Sequence, residues 1–398
     1  MFISTKPRNE REAAIIARSR QLTDFKWTPI RDVPTYFAAK KINGVFPAGE
    51  ELTGFPYSSL ERTDKFICEN VSFESFLSAI ANPDSKLYQA GHGAKSACNF
   101  GVVCNGFVRY ALGIRGRVNT QNWDSIPGMR MVKPKGEYSA DEIRLCDILH
   151  TYGEGRNHVT LITDVFKNES GEIELIEVSE AVSPLCKRKS YTKEEYFEAF
   201  KLFSLYRYDL IDTVPLLDEE ENRVLLESKI EKNEPKIAAD LGNKANYRQN
   251  EEITLSVFTK GENAILLCRD GTLIEEINTY GRASVPRILD RGYYTAALKD
   301  GGEKVEFAVT IPEISYECDG EYITVRADAK DEKSKISHMD FRKKGEGFAS
   351  LVKLENLTDR EKKSGIIKRK IPEGAENFKI YFENSYGIWT HTMIRIDY

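Results

Sequence analysis

Residues 103–113 read VCNGFVRYALG, and the first half of the chain can be placed around them. Cys104, Phe107, Val108 and Ala111 share one face of a 3.6-residue period, and Gly113 is a natural C-terminal stop. The pattern predicts a short helix with Cys104 in its first turn, pointing inward. A thiol there meets unpaired backbone N–H groups and the positive end of the helix dipole, which favour the thiolate. Upstream, a loop rich in Gly, Ala and Ser runs over residues 90–101. Before it, FESFLSAI at 73–80 has helical spacing and ends at Asn82-Pro83-Asp84, residues that stop helices. NEREAAIIARSR at 9–20 predicts an N-terminal helix, opening a mixed segment that holds Trp27 and Tyr36.

Beyond Pro134 the pattern changes to short, β-branched runs: CDILH at 146–150, HVTLITDVF at 158–166 and IELIEVS at 173–179. These read as strands. His158 opens the second of them behind the flexible loop YGEGRN, so its ring can project from a rigid sheet toward the helix. A thiol that attacks an amide needs such an imidazole as base. A hairpin closed around KNES, with Phe166 opposite Gly171, sets His158 opposite Ser179 and diagonal to Glu177. Both lie on the face that could orient the ring, and the choice between them stays open. Arg156, two residues before His158, is a candidate for holding a substrate carboxylate.

Thr192 and Glu195 form a capping box for the helix EEYFEAF, and FSLYRYDLI at 203–211 is one more strand. The first domain is expected to span residues 1–212, with a charged linker over 213–235. Strand-length runs EITLSVF, AILLCRD, YYTAAL and KVEFAVT then recur between turn residues about every 8–12 positions, the spacing of a β-sandwich, over 236–311. EYITVRA, HMDFRK, FKIYFE and THTMIRI predict a second such module over 312–398.

At 41% hydrophobic and 30% charged residues, the 398-residue chain has the composition of a globular protein with more than one core. A net charge of -5, with Lys and Arg scattered, argues against a nucleic-acid surface. The densest basic run, KKSGIIKRK at 362–370, is broken by apolar residues and reads as a solvated strand edge. The absence of GxxxxGK[ST] and GxGxxG disfavours nucleotide binding. No signal h-region and no run of about 18 apolar residues is visible, so no membrane span is expected. Localisation stays open, with the cytoplasm the expectation from the sequence alone. The seven cysteines are odd in number and widely spaced, and none of the five histidines sits in an HExxH pair, so neither a metal nor a cofactor is expected. Cys68, Cys98, Cys146, Cys186, Cys268 and Cys318 read as small buried apolar residues. His92, His150, His338 and His391 read as structural.

Four elements together resemble the papain-like cysteine peptidases and amidases of the NlpC and CHAP type. GFPYSS at 54–59 is similar to their G-x-P-Y element, VCNGFVRYALG to their D-C-S-G-F-V helix, CDILH to their G-D-L strand and NHVTLITDV to their H-V-G-I-Y strand. The resemblance implies Cys104 as nucleophile, His158 as general base and Tyr57 lining the substrate pocket near the thiol. It favours Glu177, similar to a CHAP strand glutamate, over its rival Ser179 as the third catalytic residue. The implied fold class is an α+β papain-like catalytic domain followed by two all-β immunoglobulin-like sandwich domains. The implied activity is hydrolysis of amide bonds in peptidoglycan stem peptides, with a carbohydrate or protein ligand for the sandwiches. Two other readings stand beside it. One is an intracellular amidase or acyltransferase using the same nucleophile, the other a catalytically inactive protein that binds carbohydrate or protein.

Overall fold

The computed structural model describes residues 3–37, 42–58, 73–89, 100–114, 120–153, 157–217, 236–301, 304–327, 334–343, 350–385 and 389–396. The chain opens with strand β1 (Ile3–Ser4) and helix α1 (Glu10–Thr23), whose first turn is capped by the Asn9 side chain accepting from the Glu12 N–H. Four short strands follow, β2 (Lys26–Trp27), β3 (Val33–Phe37), β4 (Ile42–Phe46) and β5 (Leu52–Thr53), paired β2 with β5 and β3 with β4. Helices α2 (Phe73–Ala81) and α3 (Cys104–Ala111) come next. The main sheet of this part contains β6 (Met129–Lys133), β7 (Ile148–Thr151), β8 (His158–Lys167), β9 (Ile173–Ala181), β10 (Cys186–Thr192) and β11 (Ser204–Tyr208). Their order is β10-β9-β8-β7-β11-β6, with β1 added alongside β8. Helix α4 (Lys193–Phe200) starts at the Thr192–Glu195 capping box.

A six-stranded sheet follows, made of β12 (Lys236–Ala239), β13 (Ala245–Arg248), β14 (Glu252–Arg269), β15 (Thr272–Ile288), β16 (Gly292–Leu298) and β17 (Lys304–Ile311). The last part has a three-stranded sheet, β18 (Ile314–Cys318), β19 (Tyr322–Ala327) and β22 (Ile366–Lys370), and a four-stranded one, β20 (Ser334–Lys343), β21 (Ser350–Asn356), β23 (Asn377–Asn384) and β24 (Trp389–Arg395). Helix α5 (Asp359–Ser364) lies between β21 and β22. This part of the chain has an all-β, immunoglobulin-like sandwich character.

The expected α+β papain-like domain is corrected by this architecture. Strands hold 51% of the described residues and helices 18%, so the protein is a mostly β, multi-sheet molecule with few helices. The helical periods at 73–80 and 104–113 do form helices, but of only nine and eight residues. Between α1 and α2 the chain pairs as the short strands β2 with β5 and β3 with β4.

The cores do not follow the sequence boundaries. One apolar cluster runs from Ile15 in α1 through Phe76 and Phe107 to Leu255 and Phe307 in the six-stranded sheet. Polar contacts reinforce that junction. The Lys86 N–H donates to Asp240 O at 3.1 Å, its ammonium lies 3.0 Å from Asp240 Oδ2, and Asp84 accepts from Ser284 at 2.9 Å and from Arg282. A separate cluster around Ile323, Met339 and Phe378 fills the C-terminal part. A third, with Tyr196 and Phe200 of α4 against Ile162 and Val178, covers the main sheet.

Candidate active site

Cys104 is the first residue of α3, preceded by Val103 in extended conformation (φ -92, ψ 168). The approach to it depends on Gly101, which adopts φ +154. A Cβ there would lie 2.5 Å from Ser58 Cβ and 2.7 Å from Pro56 O, so only glycine lets the strand of residues 56–58 pass this close. The Val102 N–H donates to Pro56 O at 2.9 Å, and Tyr57 bridges to Val102. Tyr57 is anchored from the other side by its N–H, which donates to Pro184 O at 2.8 Å. Its phenol is held well above the ordinary range by burial, and by the nearby Cys104 and Cys186 thiols. Tyr57 and Cys104 are thus brought together.

The Cys104 side chain is buried, and burial alone would raise its pKa. Hydrogen bonding to the His158 imidazole and the charge of that ring outweigh burial, with the Val159 backbone N–H and the Thr120 hydroxyl adding to the effect, so the thiol is lowered. The Thr120 Oγ1 lies 3.9 Å from the sulfur. His158 opens β8 opposite Thr151 of β7, and its Nε2 lies 2.7 Å from Glu180 Oε2. With Nε2 engaged by Glu180, Nδ1 is the nitrogen left for the sulfur. Burial pushes the imidazole down, but the bonds to Cys104 and Glu180 lift it to about 9. A lowered thiol beside a raised imidazole favours a thiolate–imidazolium pair near neutral pH. Glu180 also lies 3.7 Å from Lys187 Nζ, and the edge of Phe203 closes one side of the His158 ring.

Glu177 and Ser179 are not the partners of His158, which corrects the sequence expectation. The Thr163 hydroxyl donates to Glu177 Oε1 at 3.0 Å and lies 2.8 Å from Ser179 Oγ, while Arg188 donates to Glu177 Oε2 at 3.3 Å. The reason is register. Leu161 pairs with Ser179, so position 182 rather than 179 falls opposite His158, a displacement of three residues (182 minus 179). An odd displacement moves every side chain to the other face. The hairpin turns through residues 168–172, where the Asn168 side chain accepts from the Ser170 and Glu172 N–H groups and Gly171 takes φ +82. The expected hairpin, with Phe166 opposite Gly171, places Gly171 in the strand instead. A further bulge between Ile162 and Asp164 completes the shift. The diagonal neighbour of His158 is therefore Glu180.

Arg156 lies outside the described residues, as do Cys68, Cys98 and His92. Cys146 and Cys186 are buried, and Cys268 and Cys318 are half-buried. Among the described residues no cluster of three or more His, Cys, Asp or Glu is arranged to hold a metal ion, and no helix is long and apolar enough to cross a membrane. Sequence reasoning passed over three residues near the thiol. Glu180 directly follows the run IELIEVS but falls on the wrong face of the assumed hairpin. Thr120 has no local signal. His150, read as structural, places its Nε2 2.6 Å from Thr120 O.

No family model and no curated protein matches the chain. Among solved structures, it is similar to native α2-macroglobulin from Escherichia coli spanning domains NIE-MG1, at 9% identity over 41% of this chain and 97% of that one, with a TM-score of 0.18. The same protein spanning MG0-NIE-MG1 gives 7% identity over 70% and 100%, with a TM-score of 0.17. The tri-modular endo-β-1,4-glucanase B from Bacillus halodurans gives 13% identity over 47% and 40%, with a TM-score of 0.18. Likeness at such TM-scores carries no argument about fold or activity. The resemblance to the NlpC and CHAP type is corrected here by the architecture, which is mostly strand with few helices.

Proposed function

We propose that the chain is a cysteine-dependent amide hydrolase with Cys104 as nucleophile, His158 as general base and acid, and Glu180 as the carboxylate that orients the ring. One observation carries the reading: a buried thiol at a helix N-terminus is lowered by a neighbouring imidazole whose Nε2 lies 2.7 Å from a carboxylate. In this reading the Cys104 thiolate attacks the acyl carbon, and the Cys104 backbone N–H at the start of α3 stabilises the oxyanion. His158 delivers its proton to the departing amine, leaving a thioester. It then takes a proton from water, whose oxygen attacks the thioester, and returns that proton to the sulfur as the acid departs. Glu180 fixes the tautomer and stabilises the imidazolium. Tyr57 borders the space beside the sulfur.

The thiol chemistry selects an acyl carbonyl, and peptidoglycan stem peptides are the first amides to try. The sandwich regions would then carry the carbohydrate or protein ligand that brings the enzyme to its substrate. The test is digestion of purified cell walls with detection of new amino groups, Cys104→Ala serving as control. Release that disappears in the variant supports the proposal; equal release from both proteins removes Cys104 from the chemistry. Turnover of small acyl esters without release from walls moves the substrate away from peptidoglycan.

A further inference from the structure

We infer that Thr120 is a further catalytic residue of the proposed hydrolase, donating a hydrogen bond to the Cys104 sulfur, and that His150 is the positioning residue that holds it there. The inference rests on the reading of Cys104 as nucleophile. Thr120 opens the short 3-10 helix Thr120–Ser125, and its hydroxyl lies 3.9 Å from Cys104 Sγ, within hydrogen-bond range for sulfur. A threonine hydroxyl at this pH is no base, so beside a thiolate it donates, favouring the anion without competing for its proton. It joins two other donors at the same sulfur, the His158 ring and the Val159 N–H.

What fixes Thr120 is its own carbonyl, which lies 2.6 Å from His150 Nε2. A carbonyl oxygen only accepts, so Nε2 carries a hydrogen, and it does so in both the neutral and the cationic ring. The latch therefore survives titration of His150. Burial lowers the His150 pKa, the Thr120 carbonyl and Asp124 oppose that, and Lys135 adds to it. The ring cannot swing away easily. Trp123 stacks on it with centroids 6.1 Å apart and planes at 13°, and Tyr206 meets it edge-on at 5.3 Å. His150 sits on β7, the strand that also pairs with His158, so one rigid element fixes both the base and the hydroxyl.

The experiment is the pH dependence of Cys104 alkylation by iodoacetamide in the full chain, read by peptide mass spectrometry, with thermal midpoints to confirm folding. Thr120→Val keeps the side-chain shape and removes the donor. It should raise the apparent pKa of Cys104 by about one unit, lowering alkylation at pH 6 by about 10-fold. Thr120→Ser should return the profile to wild type. His150→Phe keeps the aromatic packing but loses the N–H, and should give the same shift, with no further shift when combined with Thr120→Val. His150→Gln, which keeps a donor, should stay close to wild type and serves if His150→Phe does not fold. A Thr120→Val profile that coincides with wild type overturns the inference. A shift in Thr120→Val that neither His150 variant reproduces or rescues overturns the positioning role. Wild-type Cys104 alkylating no faster than Cys268 and Cys318 would instead remove the reading of Cys104 on which the inference rests.

Discussion

His158 Nε2 lies 2.7 Å from Glu180 Oε2, and the two residues are diagonal neighbours across β8 and β9. An ionised carboxylate there orients the ring and stabilises its charged form. Glu180→Gln keeps the shape and removes the charge. It should lower kcat by at least ~10²-fold, the scale of disturbed acid–base catalysis, with a smaller change in KM. Steady-state kinetics on whichever amide is turned over checks this.

Glu177, by contrast, should act on stability. It is buried and accepts from Thr163 and Arg188. Glu177→Ala leaves both donors short of a partner and should cost ~1–3 kcal/mol in urea denaturation, while turnover per folded molecule stays unchanged. Loss of turnover without loss of stability would restore Glu177 as the catalytic carboxylate.

The contrast between these glutamates shows what the sequence could and could not convey. Cys104 and His158 each rest on a local period, the helical one of residues 104–111 and the alternation of 158–166, and local periods are legible. Glu180 and Glu177 are three apart on one strand, so choosing between them needs the register, and the register depends on the turn at Gly171 and the bulge near Thr163. Thr120 reaches the thiol only through tertiary packing. The same limit applied to the fold. EITLSVF and AILLCRD read as two strands but are parts of one 18-residue strand with a register break between Phe258 and Glu262. The core that joins Phe76 to Leu255 has no signature in either segment alone.

The pH profile follows from the two coupled groups. The thiol is lowered, so attack should switch on below the ordinary thiol range of ~8.5. His158 is raised to about 9, so it keeps the proton needed by the departing amine up to that pH and loses it above. The dependence of kcat/KM should therefore be bell-shaped, with an alkaline limb near the His158 value. Glu180→Gln should move that limb to lower pH, because it removes one of the two partners that raise the imidazole. An unmoved limb would assign the titration to another group.

Gly101 tests how the site is assembled. A Cβ there would meet Ser58 Cβ at 2.5 Å and Ser58 N at 2.6 Å, so Gly101→Ala must push apart the segments carrying Tyr57 and Cys104. A loss of ~1–3 kcal/mol, together with slower Cys104 alkylation, is expected. Gly153→Ala, at φ +89 with no atom within 4 Å of the added Cβ, should cost only the backbone strain of ~1–2 kcal/mol.

The shared core makes a prediction about truncation. The charged stretch after Asp212 suggests independent units, but Phe76 and Leu255 lie in one apolar cluster, and Lys86 and Asp84 bond to residues of the six-stranded sheet. A chain ending at residue 217 should be aggregation-prone or lack a cooperative thermal transition, whereas one ending at residue 311 should stay soluble and unfold cooperatively. A cooperative transition in the shorter chain would show that the junction is dispensable.

The central claim, that Cys104 is an activated nucleophile paired with His158, is tested most directly by competitive iodoacetamide labelling of the intact protein at pH 6.5. Cys104 is more buried than the half-buried Cys268 and Cys318, so exposure alone would make it the slower thiol. The expected result is that Cys104 labels at least ~10-fold faster than either, because the thiolate reacts and the Cys104 thiol is lowered by His158, and that His158→Ala abolishes this advantage. Labelling of Cys104 no faster than Cys268 and Cys318, or an advantage that survives His158→Ala, would contradict it.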